Sequence, residues 1–429
     1  MRCFARGLRA AVAVGWLLLF SSTLPASPPI SAPSPLDALL DELITRNAEL
    51  KSLEERLSAL KDEISVAGAL EDPHVGFGLL NLPVNTFSFD QEPMTQKQIA
   101  VSQKIPWFGK LRLRSERAAR AADRQQALLE ARRLELCREA AVTFYELAFT
   151  RKSLNVNARL SGLVTELLKV AETRYAAGQS PLQDVLQAQV ELSSLLEEKA
   201  RLEKDERSLE DRILGLLNRP GPEGVHVPEN LPIPALALET EALKARALEN
   251  NPAVRIRRTE VEETEAELRL ARADFRPDFN FQVAYGQRQH NALNGQDFID
   301  FFSASVMLNV PLWKHQRQDR HLDAAAANHQ AALEVLENLL RTVPHQVDAL
   351  VTDIRTSEEN YRLFMDALLL QAGQWAQAAY TAYGVGKVEF NTMITAQMRL
   401  LRFQLQAERY LLTVYQKRAE LEELLGGPL

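Results

Sequence analysis

The chain has 429 residues, 46% hydrophobic and 25% charged, with a formal net charge of -7. That balance supports a large core and excludes a disordered chain. The negative charge, with no basic cluster interleaved with aromatics, argues against nucleic acid as a partner.

Residues 1–26 have the form of a secretory signal. Arg2, Arg6 and Arg9 make a basic n-region, and Ala10 to Phe20 an apolar h-region of about 11 residues, too short to span a bilayer. Cleavage is expected near Ala26, although Leu24-Pro25-Ala26 is a poor A-x-A site. Its removal would take the formal charge from -7 to -10. No other stretch is long and apolar enough for a transmembrane helix. Of the 2 cysteines, Cys3 leaves with the signal and does not follow the h-region, so no lipid anchor is expected there. Cys137 is then alone, and no intrachain disulfide can form.

A Pro/Ser linker occupies 27–35. Leu36 to Leu70 is expected to be helical, with Leu39, Leu43, Leu50, Leu53, Leu57, Leu60 and Ile64 on its apolar side, and Asn47-Ala48 onward matches the later helix start at Asn251-Pro252 at an offset of 204 (251 − 47). A hairpin follows, with strands expected over about 73–84 and 96–105. Pro83, Asn85, Asp90 and Pro93 between them are chain-reversal residues. From Leu111 to Ala177 there is no proline, which predicts a helix of about 67 residues, or about 100 Å. Leu134, Cys137, Ala141, Phe144 and Ala148 step along it at coiled-coil spacing, which places the Cys137 thiol in a buried seam. The turn Ala176-Ala177-Gly178-Gln179-Ser180-Pro181 fits a helix end at Gly178 and a new start, with Ser180 as N-cap and Pro181 in the first turn. The return helix is expected over Leu182 to Leu217. Prolines 220, 222, 228, 232 and 234 make 221–234 an irregular equatorial connection.

The pattern then repeats. A short helix from Leu236 to Glu249 leads to Asn251-Pro252 and a helix reaching Phe275. Strands are expected over about 277–287 and 301–310, and a second long helix from about Gln316 to Tyr383. Its seam is Leu333, Leu336, Leu340, Val343, Val347, Leu350 and Ile354, and Pro344 inside it is expected to bend or interrupt it. Tyr383-Gly384-Val385-Gly386-Lys387 is the second turn, and the last helix covers Glu389 to Leu425. The offset is 204 at the first strands (277 − 73) and 208 at the turn glycines (386 − 178). Residues 36–220 and 235–429 are therefore two copies of one unit.

Strands of about 9–11 residues match a tilted strand crossing a bilayer. Phe279, Phe281, Val283, Tyr285, Phe302, Val306 and Leu308 form an alternating apolar stripe suited to lipid, with Asn280 and Gln282 facing a wet interior. Four strands cannot close a barrel, and an open edge is not tolerated in lipid. Three chains supply twelve strands. The expected fold is therefore mainly α with a transmembrane β-barrel: a homotrimer with a 12-stranded barrel, four strands per chain, on a long α-helical barrel. The competing reading is a periplasmic coiled-coil spacer or envelope tether without a pore.

The duplicated layout, Gln103-Lys104-Ile105-Pro106-Trp107-Phe108-Gly109-Lys110, Arg174-Tyr175-Ala176-Ala177-Gly178 with Asp184-Val185-Leu186, and Tyr383-Gly384-Val385-Gly386 together resemble the outer-membrane efflux (TolC-like) proteins. The resemblance covers essentially the whole mature chain. It implies a passive trimeric channel in the outer membrane of a Gram-negative bacterium, extending into the periplasm. Such channels take cargo from an inner-membrane pump through a periplasmic adaptor protein. Pro83 to Lys110 is most similar to members paired with heavy-metal pumps of the resistance-nodulation-division class, which implies heavy-metal cations as cargo.

The resemblance also implies an acidic constriction at Asp184. Glu389, just past the second turn, is a further aperture candidate. Thr392 stands where Asp184 would repeat, which puts a two-ring arrangement in doubt. Tyr175, Gly178, Tyr383 and Gly386 are turn residues and candidates for adaptor contact. No nucleophile elbow, phosphate loop or zinc-helix motif is present, so no enzyme and no cofactor is expected. Histidines 74, 226, 290, 315, 321, 329 and 345 are scattered without ligand spacing, and no metal site is expected.

Overall fold

The computed structural model describes residues 35–221, 224–234, 239–290, 295 and 297–429. The expected signal segment, linker residues 27–34 and the first residues of the helix expected from Leu236 lie outside them. The elements in order are α1 (Pro35–Arg46), α2 (Ala48–Gly68), β1 (His74–Leu80), β2 (Gln96–Ile105), α3 (Lys110–Ala176), α4 (Leu182–Leu217), α5 (Thr240–Asn250), α6 (Pro252–Ala273), β3 (Phe279–Gln287), β4 (Phe301–Leu308), α7 (Gln318–Leu363), a π turn (Phe364–Leu368), α8 (Leu369–Gly384) and α9 (Phe390–Leu424). Two compact units share the described residues, one within 35–52, 129–254 and 340–429, the other within 53–128 and 255–339.

The first unit is helical and has two cores. In one, Leu36, Leu39 and Leu43 of α1 pack with Leu136, Phe144 and Leu147 of α3, Ile213 and Leu217 of α4, and Leu411 and Tyr415 of α9. In the other, Val156, Leu160, Val164, Leu167 and Ala171 of α3 meet Val185 and Ala188 of α4, Ala376, Ala379 and Tyr383 of α8, and Phe390 to Met398 of α9. The 4,4,3,4 spacing along α3 keeps one stripe facing its partners over about four turns. Cys137 is half-buried rather than buried, and forms no disulfide.

The helical stretch expected from Leu36 to Leu70 is divided at Asn47. The Asn47 carboxamide oxygen accepts from the Glu49 and Leu50 N–H groups (3.0 and 3.1 Å), an N-cap that starts α2 afresh. Pro344 does not interrupt α7, which continues through it. It lies between Val343 and Val347, both fully buried, and that burial offsets the one backbone bond a proline removes. The interruption is instead the π turn, where Phe364 packs on Phe403 and Tyr410 at 5.4 and 5.5 Å. Along the second seam Val343, Val347 and Ile354 are buried, while Leu333 is exposed and Val351 takes the place expected of Leu350.

The second unit holds an antiparallel sheet in the order β1-β2-β3-β4. β1 is shorter than expected because Asn81 adopts a left-handed conformation (φ 54°). Its Nδ2 donates to the Met94 carbonyl and its own carbonyl accepts from the Thr95 hydroxyl, which seals the hairpin at Leu80. β3 starts at Phe279 because Asp278 turns its carboxylate to the Trp107 N–H (3.0 Å) and the Lys110 ammonium (2.8 Å). β4 ends at Leu308, ahead of Pro311, which has no N–H for a ladder.

Candidate functional site

Two places in the molecule carry the residues singled out from sequence, one in each unit. The first is the sheet. Register alone decides which side chains share a face. Phe77, Ile99, Tyr285 and Phe302 form one rung, and Val75, Val101, Val283 and Ala304 the next. Phe281 pairs with Val306 and Phe279 with Leu308 on the same face. The opposite face carries Gly76, Ala100, Ala284 and Ser303 on one rung and His74, Ser102, Gln282 and Ser305 on another. All seven stripe residues from β3 and β4 thus lie on one face. Val75 and Phe77 of β1 and Ile99 and Val101 of β2 extend it, and these were not singled out in advance. The alternation in Gln96–Ile105 carried their signal; β1, with Gly76 and Gly78, hid it.

This apolar face is open. Phe77 is 81% and Phe302 74% exposed, and Phe281, Val283 and Tyr285 are also exposed. β1 and β4 each have one neighbour, so both outer edges present unpaired backbone groups. Among the described residues no helix is long and apolar enough to cross a membrane.

The second place is where α3 turns into α4 and α8 into α9. Each turn is a Schellman closure. Gly178 (φ 70°) donates to the Tyr175 carbonyl and Gln179 to that of Arg174, at 2.9 and 2.8 Å. Gly386 (φ 71°) donates to the Tyr383 carbonyl and Lys387 to that of Ala382, at 3.0 and 2.9 Å. The N-cap of α4 is Pro181, not Ser180. The Ser180 hydroxyl is buried without a hydrogen-bond partner, and Asp184 N–H is met by the Pro181 carbonyl instead. Glu389 is the N-cap residue of α9, so by the offset of 208 (389 − 181) it corresponds to Pro181, and Asp184 to Thr392.

Arg174 joins the two turns. Its guanidinium donates to the Tyr383 carbonyl (3.0 Å) and lies over the Tyr383 ring at 4.7 Å. Tyr383 is only 6% exposed, packed edge-on against Phe390 at 5.7 Å, whereas Tyr175 is 47% exposed. The two tyrosines therefore differ: the Tyr175 ring is open to solvent and the Tyr383 ring is covered. Asp184 is half-buried and Glu389 exposed. Burial pushes the Asp184 carboxyl above the usual carboxylate range; Arg174 pulls it down and Glu389 pushes it up further. The two carboxylates are thus brought within electrostatic reach, and nearby Gln187 donates to Asn391 (2.9 Å), tying α4 to α9. Sequence marked Arg174 only as part of the turn motif and did not indicate its contact with Tyr383, 209 residues away. Among the described residues, no cluster of three or more His, Cys, Asp or Glu gathers in a way that could hold a metal ion.

Comparison with known proteins follows this layout. The outer membrane efflux protein family model matches residues 39–219 and 243–427, nearly the whole described chain. The comparison with curated proteins found no match. Among solved structures, VceC from Vibrio cholerae has a TM-score of 0.76 at 18% identity, covering 92% of this chain and 96% of its own. The outer-membrane channel OprN gives 0.75 at 17% identity, covering 92% and 90%. CusC gives 0.73 at 15% identity, covering 96% and 99%. The fold is theirs, and the chain belongs to the outer membrane efflux protein family, whose members are channels of the outer membrane.

Proposed function

We propose that three copies of this chain close one twelve-stranded barrel and form the passive outer-membrane exit of a tripartite efflux system. One observation carries this reading: a four-stranded sheet with a continuous, exposed apolar face and two unpaired edges. In lipid such edges are unsatisfied until β1 of one chain meets β4 of the next. Twelve strands is an even number within the known range, with the Ser/Gln/Asn face toward water.

The helix turns are then the inner end of the conduit, where three copies of Asp184 and Glu389 concentrate negative potential. Tyr175 and the Gly178 turn are the surface offered to a periplasmic adaptor. The resemblance of Pro83–Lys110 to members serving heavy-metal pumps supports a resistance-nodulation-division pump as partner and metal cations as cargo. Reconstitution into planar bilayers tests the channel: discrete conductance steps from a three-chain species support it, and a trimer without conductance returns the chain to a periplasmic tether. Growth of a deletion strain on metal salts tests the cargo; unchanged metal tolerance with the pump intact would reject it.

A further inference from the structure

The end of the sheet that leads into α3 and α7 carries a band of aromatic rings followed by cations without partners. On the apolar face, Trp107 stacks on Phe279 at 5.6 Å and Phe108 lies 6.4 Å from the same ring. Phe108 is 79% exposed. After β4, Leu312 and Trp313 repeat the arrangement, each 72% exposed. Rings with one side in lipid and one in water belong at a membrane–water interface.

The cations come next in the chain. Arg112, Arg114 and Arg117 fill the first two turns of α3, and Lys314 and Arg317 precede α7. None of the five makes an ion pair or side-chain hydrogen bond among the described residues. Arg276 lies over the Trp107 ring at 6.0 Å. Further along the helices the pattern changes. Arg120 pairs with Glu262 (2.8 Å), Arg124 with Glu263 (3.4 Å) and Arg269 with Glu116 (2.8 Å). Lys104 and Lys110, nearest the sheet, pair with Glu71 (3.0 Å) and Asp278 (2.8 Å), and the five cations that follow the rings are left unpaired. Nor do they help their helix: the first turn of α3 holds no acidic residue, and positive charge there opposes the macrodipole.

We infer that this band is a binding surface for anionic phospholipid headgroups of the leaflet facing the helices. The inference rests on the membrane-spanning reading of the sheet. The rings fix the depth of the barrel, and the arginine and lysine side chains extend along the interface to phosphodiester oxygens, with apolar stems against the lipid. Guanidinium suits this role because it meets phosphate with two parallel N–H bonds.

The test uses full-length channel purified from vesicles of four parts phosphatidylethanolamine to one part phosphatidylglycerol, with co-purifying lipid counted by mass spectrometry. Wild type is expected to retain phosphatidylglycerol above its bulk share. R112Q/R114Q/R117Q/K314Q/R317Q should lose that enrichment, by roughly fivefold in affinity for each charge removed. R112K/R114K/R117K/R317K should keep most of it, and K199Q/K204Q on α4 should keep all of it. Bulk composition around a wild-type channel that conducts would overturn the inference and leave the channel reading intact. Conductance lost in wild type in every lipid would instead strike the channel reading. Stabilisation of the detergent-solubilised trimer by inorganic phosphate as great as by phosphatidylglycerol would also overturn it, because a free anion would then suffice.

Discussion

Asn47 and Asn251 make the same two kinds of bond from matching places in the two halves. Asn47 caps α2 through Leu50 N–H (3.1 Å) and donates its amide to the Leu216 carbonyl (2.9 Å). Asn251 caps α6 through Val254 N–H (3.0 Å) and donates to the Leu424 carbonyl (2.9 Å). Both are buried. Each thus satisfies an orphan donor at one helix start and an orphan acceptor at another helix end. Asparagine is required because the side chain must both accept and donate. Asn47→Ala or Asn251→Ala should cost about 2 kcal/mol, the cap plus a stranded carbonyl. Asn47→Asp should recover the cap and not the carbonyl bond. Denaturant melting of the purified trimer checks this; an aspartate variant as stable as wild type would show that only the cap matters.

The turn glycines are not equivalent. A Cβ on Gly178 meets open space, whereas one on Gly426 comes 2.3 Å from the Asn250 carbonyl oxygen, which is backbone and cannot move aside. Both have positive φ. Gly178→Ala should therefore cost about 1 kcal/mol, the left-handed conformation alone. Gly426→Ala adds a backbone collision and should lower trimer yield. Equal melting temperatures for the two variants would contradict this.

The sheet faces make opposite demands on charge. Phe281→Arg or Val283→Arg, on the apolar face, should cost about 2–4 kcal/mol and reduce assembly in the outer membrane. Gln282→Arg, on the polar face between them, should assemble. Equal trimer yields for Phe281→Arg and Gln282→Arg would reverse or abolish the assigned faces.

The Asp184–Glu389 pair should govern cations entering from the helix-turn end. Trivalent cations added on that side should block conductance, and Asp184→Ala should relieve the block without changing trimer yield. A double Asp184→Ala, Glu389→Ala variant with unchanged selectivity and block would return both carboxylates to favouring their helix starts.

Asp278 gives a pH dependence of known sign. Burial raises its carboxyl, but the Lys110 ammonium and the Trp107 N–H outweigh that and hold it below the ordinary carboxylate range. A carboxylate depressed on folding contributes stability above its unfolded pKa and loses it as pH falls through its folded pKa. Asp278→Asn should cost about 2 kcal/mol at neutral pH, since it leaves the buried Lys110 ammonium only the more distant Asp274 carboxylate, 3.9 Å away, as counter-charge. The variant should also melt less steeply with acid than wild type. Parallel acid-melting curves would remove Asp278 from the account.

Alternation and repetition determined much of this protein in advance. Period 2 in Phe279–Gln287 and Phe301–Leu308 fixed both strands and their faces, because side chains alternate across a pleat whatever the partner strand. The proline-free run into Gly178 gave α3 its length, and the offset of 204 to 208 gave the second half from the first. The interruptions were less legible. The repeat aligned Asn47 with the helix start at Asn251, but its bond to the Leu216 carbonyl needed the fold, and Pro344 looks like a break until its valine neighbours are buried. Contacts between distant segments were not legible at all. Arg174 with Tyr383 and Lys110 with Asp278 are 209 and 168 residues apart, and only packing brings them together. Burial was likewise decided by tertiary structure: Tyr175 and Tyr383 occupy matching turns, yet Arg174 and Phe390 cover the second and leave the first to solvent.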